Sequence, residues 1–185
     1  MPEQNLDDVP DGSSIFVDTN IFHYHLQNLS PSCTQFITRI ASGAIEAYVN
    51  IQVLSDLLHK LMMTEARAKG CIGNKSSNPQ ELKKYLKGCR DKKLAFPLTD
   101  YQAQFEIIVS AGLHILPINE NLLIDTKAER VQYYLMTGDS LHLGTMSRRV
   151  VNRRKAPLQN IATHDGDFAY IQDVTVWKPM DIPQR

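Results

Sequence analysis

No apolar run in this chain approaches the roughly 18 residues that a membrane-crossing helix requires. The first ten residues carry acids and lack the positive flank and apolar segment of a secretory signal. A soluble, cytoplasmic protein with no membrane partner is expected. Cysteine is scarce: Cys33, Cys71 and Cys89 are odd in number and form no C-x-x-C pair, which argues against a disulfide framework and a zinc knuckle and leaves buried or idle thiols. No serine or cysteine lies in a recognisable triad or nucleophile elbow, so covalent catalysis by a side chain is not indicated. Internal repeats and low-complexity tracts are also missing. The formal net charge is zero.

What is present suits one globular domain, since 185 residues can bury one core and are short for two. The expected division is a flexible acidic N-terminus over 1–13, a folded domain over 14–179 and a tail over 180–185. Charge is unevenly placed. Glu3, Asp7, Asp8 and Asp11 stand at the start without a base, residues 60–93 are rich in Lys and Arg, and RRVVNRRK at 148–155 has no acid. Such basic stretches suit a polyanion, although many are simply solvated faces.

The chain is organised around SIFVDTN at 14–20. Ile15, Phe16 and Val17 read as a strand buried on both faces. Asp18 would then stand at its C-terminal end, where open α/β sheets bind ligands. Further strands are expected at 45–50, 113–118, 160–163 and 174–177, the third nearer an edge because it carries Pro117. Ser30 with Pro31 opens a helix, and Val53, Leu54, Leu57, Leu58, Leu61 and Met62 form the apolar stripe of another. Asn78, Pro79 and Glu81 signal a helix start, as do Thr99 with Gln102. A single helix is expected from Asn119 to about Tyr134, and another opening at Gly138 and Asp139. The alternation implies an α/β domain with a mainly parallel five-stranded sheet flanked by helices, and an enlarged helical segment between strands two and three.

Asp18 ends strand one, Asp165 and Asp167 follow strand four, and Asp139 opens the helix before it. If strands one and four are neighbours, these carboxylates converge on one sheet edge, and Asp56 can point there from the helix after strand two. Carboxylates gathered without matching Lys or Arg repel one another, and Mg²⁺ or Mn²⁺ relieves this because these ions prefer oxygen ligands. Singly, each acid has a plainer reading: Asp139 and Asp165 as N-caps, Asp56 as an exposed helix acid. His59, His142 and His164 lie close to candidate acids in sequence, but packing or supporting roles are favoured for them.

Four stretches in order, FVDTNIF at 16–22, VLSDLLH at 53–59, GDSLHLGTM at 138–146 and IATHDGDF at 161–168, give the chain a resemblance to the PIN-domain ribonucleases, particularly the VapC-like toxins of toxin–antitoxin pairs. The resemblance implies a PIN-like domain in which Asp18, Asp56, Asp139 and Asp165 are catalytic acids. It implies that Asp18, Asp139, Asp165 and Asp167 hold Mg²⁺ or Mn²⁺, with Asn20 and Thr163 helping to hold the site. Asp56 stands where the family usually has Glu. An RNA substrate, an antitoxin partner and a homodimer are implied too, with Arg148, Arg149, Arg153, Arg154 and Lys155 as candidate RNA contacts. Two other functions fit less well: a non-catalytic RNA-binding or scaffold module, and a phosphatase with Asp18 as nucleophile, for which the required second acid is replaced by Asn20.

Overall fold

The computed structural model describes residues 3–151 and 154–183. Six parallel strands form one sheet in the order β1-β8-β7-β2-β3-β4. They are β1 (Gln4–Asn5), β2 (Ser14–Val17), β3 (Glu46–Asn50), β4 (His114–Leu116), β7 (Asn160–Ala162) and β8 (Thr175–Lys178). Two short strands, β5 (Val150–Val151) and β6 (Arg154–Lys155), pair antiparallel as a separate ribbon. Five of the sheet strands match the sequence expectation, and Pro117 follows an edge strand as anticipated. The sixth is β1, from the stretch expected to be loose.

That difference has a clear physical cause. Leu6 and Val9 are buried, which the surrounding acids hide from a composition-based reading. Gln4 pairs with Trp177 and Asn5 with Lys178. Glu3 forms an ion pair of 2.6 Å with Lys178. The opposite end is tied down nearby: Asp181 accepts hydrogen bonds from Ser30 Oγ (2.7 Å) and Ser32 N (2.9 Å), while Ser32 Oγ donates to Asp7 (2.6 Å). Both ends of the described chain thus meet at the start of α2 (Pro31–Ala41).

Ile15, Phe16 and Val17 are completely buried, as a central strand covered on both faces requires. The helices α1 (Thr19–Leu26), α2, α3 (Ile51–Ala68) and α8 (Thr137–Ser147) enclose the main core. The helical excursion between β3 and β4 contains α4 (Pro79–Asp91) and α5 (Asp100–Val109). It has its own small core of Met63, Ala66, Cys71, Ile72, Leu82 and Leu98. The helix expected over 119–134 is two, α6 (Glu120–Asp125) and α7 (Lys127–Tyr133), separated at the fully buried Thr126.

The chain steps from β2 to β3 and β4 on one side and returns as β7 and β8 on the other. The order therefore reverses between β2 and β7, which opens a crevice at their carboxyl ends. Val17 pairs with Ala162 in that register, so Asp18 and Thr163 leave the sheet side by side.

Candidate active site

Asp18 is fixed from four directions. Its N–H donates to Ala162 O (3.0 Å), joining the ends of β2 and β7. One carboxylate oxygen caps α1 by accepting from Thr19 N (2.5 Å). The other accepts from Asn20 Nδ2 (2.6 Å) and Thr163 Oγ1 (2.7 Å). A carboxylate offers about four lone-pair directions. Three are used, which leaves Asp18 able to offer a cation one oxygen contact.

Thr163 and Asn20 bind the β7 side of the crevice to the β2 side. Thr163, fully buried, accepts from Asp165 N (3.0 Å) and from Asn20 Nδ2 (3.2 Å). Asn20 Oδ1 in turn accepts from His164 N (3.0 Å). Asp165 Oδ1 accepts from Asp167 N (2.9 Å), an Asx-type arrangement that leads into the 3-10 turn Asp167–Tyr170. His164 Nδ1 is hydrogen-bonded to the Tyr24 hydroxyl (3.2 Å), and among the described residues its buried Nε2 has no partner.

Asp139 enters from α8. It is not the N-cap, a position held by Met136, and lies half-buried in the first turn. Its carboxyl group is pushed up to about 6, first by burial and then by the charges of Asp165, Asp18 and Asp167, against a backbone hydrogen bond that favours ionisation. Four of the acids expected to meet therefore share one electrostatic neighbourhood. Among the described residues none of them is ion-paired to Lys or Arg.

Asp56 stands somewhat apart. It is half-buried, accepts from Gln52 Nε2 (2.9 Å), and acts with Asp18 on His142 rather than on Asp139. His142 is buried, its centroid 5.4 Å from that of Phe16. Burial holds it below the usual imidazole range despite those two acids. Asn50 Oδ1 accepts from Val53 N (3.0 Å), so its amide nitrogen faces His142 Nδ1 (3.2 Å) and Thr145 Oγ1 (3.1 Å). Neutral His142 therefore carries its proton on Nε2. Asn50 was not singled out in the sequence; the signal available was a lone polar residue ending an apolar strand just before a helix.

The basic ribbon is differently employed. Arg148 pairs with Glu129 (2.7 Å), and Arg149 packs over the Tyr48 ring and donates to Ala156 O (3.1 Å). Arg154 and Lys155 are exposed on β6, and Arg153 lies outside the described residues.

Hard oxygen donors without neutralising bases fit Mg²⁺ or Mn²⁺ in charge and chemistry. The fit does not extend to a preformed cage: among the described residues no group of three or more His, Cys, Asp or Glu stands ready to hold a metal ion. Beside the acids runs a groove of about 850 Å³ bordered by Asn20, His164 and Asp165 on one side.

No family model matches this chain, and no curated protein matches it. A chain in the crystal structure of VapBC2 from Rickettsia felis bound to a DNA fragment from their promoter is similar in fold, with a TM-score of 0.51 and 14% identity, covering 89% of this chain and 98% of that one. The α/β arrangement with its parallel sheet is thus shared with that chain.

Proposed function

We propose that the protein is a divalent-metal-dependent endoribonuclease acting as the toxin of a toxin–antitoxin pair. The observation that carries this is the charge of Asp165, Asp18 and Asp167 acting on Asp139 at the switch point of the sheet, with no basic residue paired to any of the four among the described residues. The VapBC2 likeness supports the same fold setting and, with it, an antitoxin partner.

Asp18, Asp139 and Asp165, with Asp167 beside them, would hold Mg²⁺ or Mn²⁺. Such an ion, when bound, lowers the pKa of its water and stabilises charge on a phosphate. The chain's own contribution is positional. Thr163 and Asn20 set the Asp18 carboxylate, the Asp165 to Asp167 turn sets the second acid, and Asp139 releases its proton as cationic charge enters. Hydrolysis by water in line with the leaving oxygen breaks the P–O3′ bond and leaves a 5′-phosphate and a 3′-hydroxyl.

The test is cleavage of structured RNA with Mn²⁺ or Mg²⁺. Asp139→Asn is the preferred variant, because Asp18→Asn places an amide N–H against existing donors and disturbs the fold as well. Both are expected to reduce cleavage to the level seen in excess chelator while still melting cooperatively. Equal cleavage by Asp139→Asn, or by wild type in chelator, would reject the reading. The lack of a preformed three-ligand group favours one alternative, a non-catalytic RNA-binding module. It predicts retained RNA binding with no heat of Mn²⁺ binding and no turnover.

A homodimer belongs to the same proposal. Exposed Ile124, Val131, Tyr134 and Met136 on α6, α7 and the turn that follows supply apolar surface for it.

A further inference from the structure

The groove beside the acids has a second wall of opposite character. Asn20, His164 and Asp165 border one side, and His59, Lys60 and Arg67 of α3 another. Lys60 and Arg67 are seven residues apart, nearly two full turns, so they share a helix face about 10 Å apart along the axis. Among the described residues neither has a carboxylate partner. Arg67 is steadied by donating to Ser76 O (2.9 Å) and Thr64 Oγ1 (3.1 Å), which leaves other guanidinium donors for a ligand. Lys178, also on the groove, is by contrast neutralised by Glu3 at 2.6 Å. The unspent charge is felt locally: His23 is held down at about 4, first by burial and then by Lys60 and Arg67. On the rim, Tyr170 is 83% exposed.

A negative end beside a positive wall is an unfavourable seat for a basic peptide and a good one for a polyanion whose reacting group needs a cation. The volume lies within the range of about 300–1,000 Å³ typical of ligand sites. An exposed aromatic ring beside basic residues is the usual platform for a single strand. The ribbon at 148–155 is a weaker candidate, because Arg148 and Arg149 are occupied within the protein.

We propose that this groove is the track for single-stranded RNA next to the scissile phosphate, with Lys60 and Arg67 each contacting a flanking phosphate and Tyr170 stacking on a base. The assignment rests on the nuclease reading for the position of the scissile phosphate, but the binding it describes can be measured without catalysis.

The experiment is fluorescence anisotropy of a labelled single-stranded oligoribonucleotide with the full chain in excess chelator, repeated across a salt series. Each phosphate contact on a single strand contributes a slope of about 0.7 in log K against log salt. Lys60→Gln, at an exposed position, is expected to reduce the slope by about 0.7, and the Lys60→Gln/Arg67→Gln double variant by about 1.4. Tyr170→Ala is expected to weaken binding about 5- to 150-fold, with Tyr170→Phe close to wild type. An unchanged slope in the double variant overturns the track, as does equal binding of a duplex. Cleavage by wild type with Mn²⁺ alongside an unchanged slope would sink the track and leave the nuclease standing. A reduced slope with no cleavage under any divalent ion would do the reverse.

Discussion

At Asp139 the folded chain works against its own charge. Burial and the acids around it hold the group at about 6, above its unfolded value of 3.8. A group raised on folding adds stability that is complete below the unfolded pKa and is lost as pH rises through the folded one. The metal-free protein therefore loses this contribution between about pH 4 and pH 6. A divalent ion binds the ionised form, so Mn²⁺ should raise the melting temperature more at about pH 7.5 than at about pH 5. Asp139→Asn should flatten the metal-free pH profile across that window and remove most of the Mn²⁺ effect. An Mn²⁺ shift independent of pH, measured by thermal melts with and without chelator, contradicts this.

Thr163 makes the corresponding case for the residues that hold the acids. One hydroxyl serves Asp18, Asn20 and the Asp165 backbone at once. Thr163→Val keeps the shape and removes all three bonds, leaving half-buried partners at a cost of about 1–3 kcal/mol. Metal affinity and cleavage should fall about 10- to 100-fold, while Thr163→Ser stays near wild type. Asp18, Asp139, Asp165 and Asp167 were legible as candidates because each follows a strand or lies at the start of a helix. Their supports Asn20 and Thr163 came only from the family resemblance, for Thr163 sits 145 positions from Asp18 and only the pairing of β2 with β7 makes them neighbours.

Elements show the same division between local and distant causes. The buried runs of β2 and β7 and the stripe of α3 announce themselves by composition and period. Ser30, Asn78 and Asn119 cap their helices as local sequence suggests. α5 starts after Thr99 as the Thr99 with Gln102 signal suggests, but the Thr99 side chain does not make the cap. Glu65 of α3 does the capping, accepting from Thr99 N (2.8 Å), Asp100 N (3.1 Å) and Tyr101 N (2.8 Å). No local pattern reveals a cap supplied from more than thirty positions away.

Burial alone would raise the Glu65 carboxyl, but Lys69 and these three N–H groups overcome it and hold the group down at about 2. Because the folded value lies below the unfolded 4.5, its stabilisation is present above that pH and lost as pH falls toward 2. Glu65→Gln should cost about 2–4 kcal/mol at neutral pH, since charged hydrogen bonds contribute about 1.5–3 kcal/mol each and a neutral amide still keeps some of them. The acid limb of a denaturant-midpoint profile should flatten in this variant; an unaltered limb would show that α5 is anchored by packing alone. The break between α6 and α7 at Thr126 lies against α8. A Cβ at Gly144 of α8 would fall inside contact distance of the Thr126 side chain and press on Leu122, so α8 passes α6 closely only as glycine. Gly144→Ala should destabilise by about 1–3 kcal/mol and, since α8 carries Asp139, weaken Mn²⁺ binding as well.

For the whole molecule, the sheet edge at β8 decides how the ends behave. Without β1, the hydrogen-bonding groups of β8 would face solvent as an open strand edge, a template for pairing with another chain. β1 covers that edge, Leu6 and Val9 plug the core beneath it, and Glu3 neutralises the buried Lys178. The acidic composition that suggested a loose leader reflects only its outward residues. Removing residues 1–9 should therefore cost about 3–6 kcal/mol for two buried aliphatic side chains. It should also leave Lys178 unpaired at the groove and promote self-association through β8. Static light scattering and denaturant melts of the truncated chain would check this. If the shortened protein melts like the intact one and stays equally dispersed, the first strand is a passenger rather than the cover of the sheet.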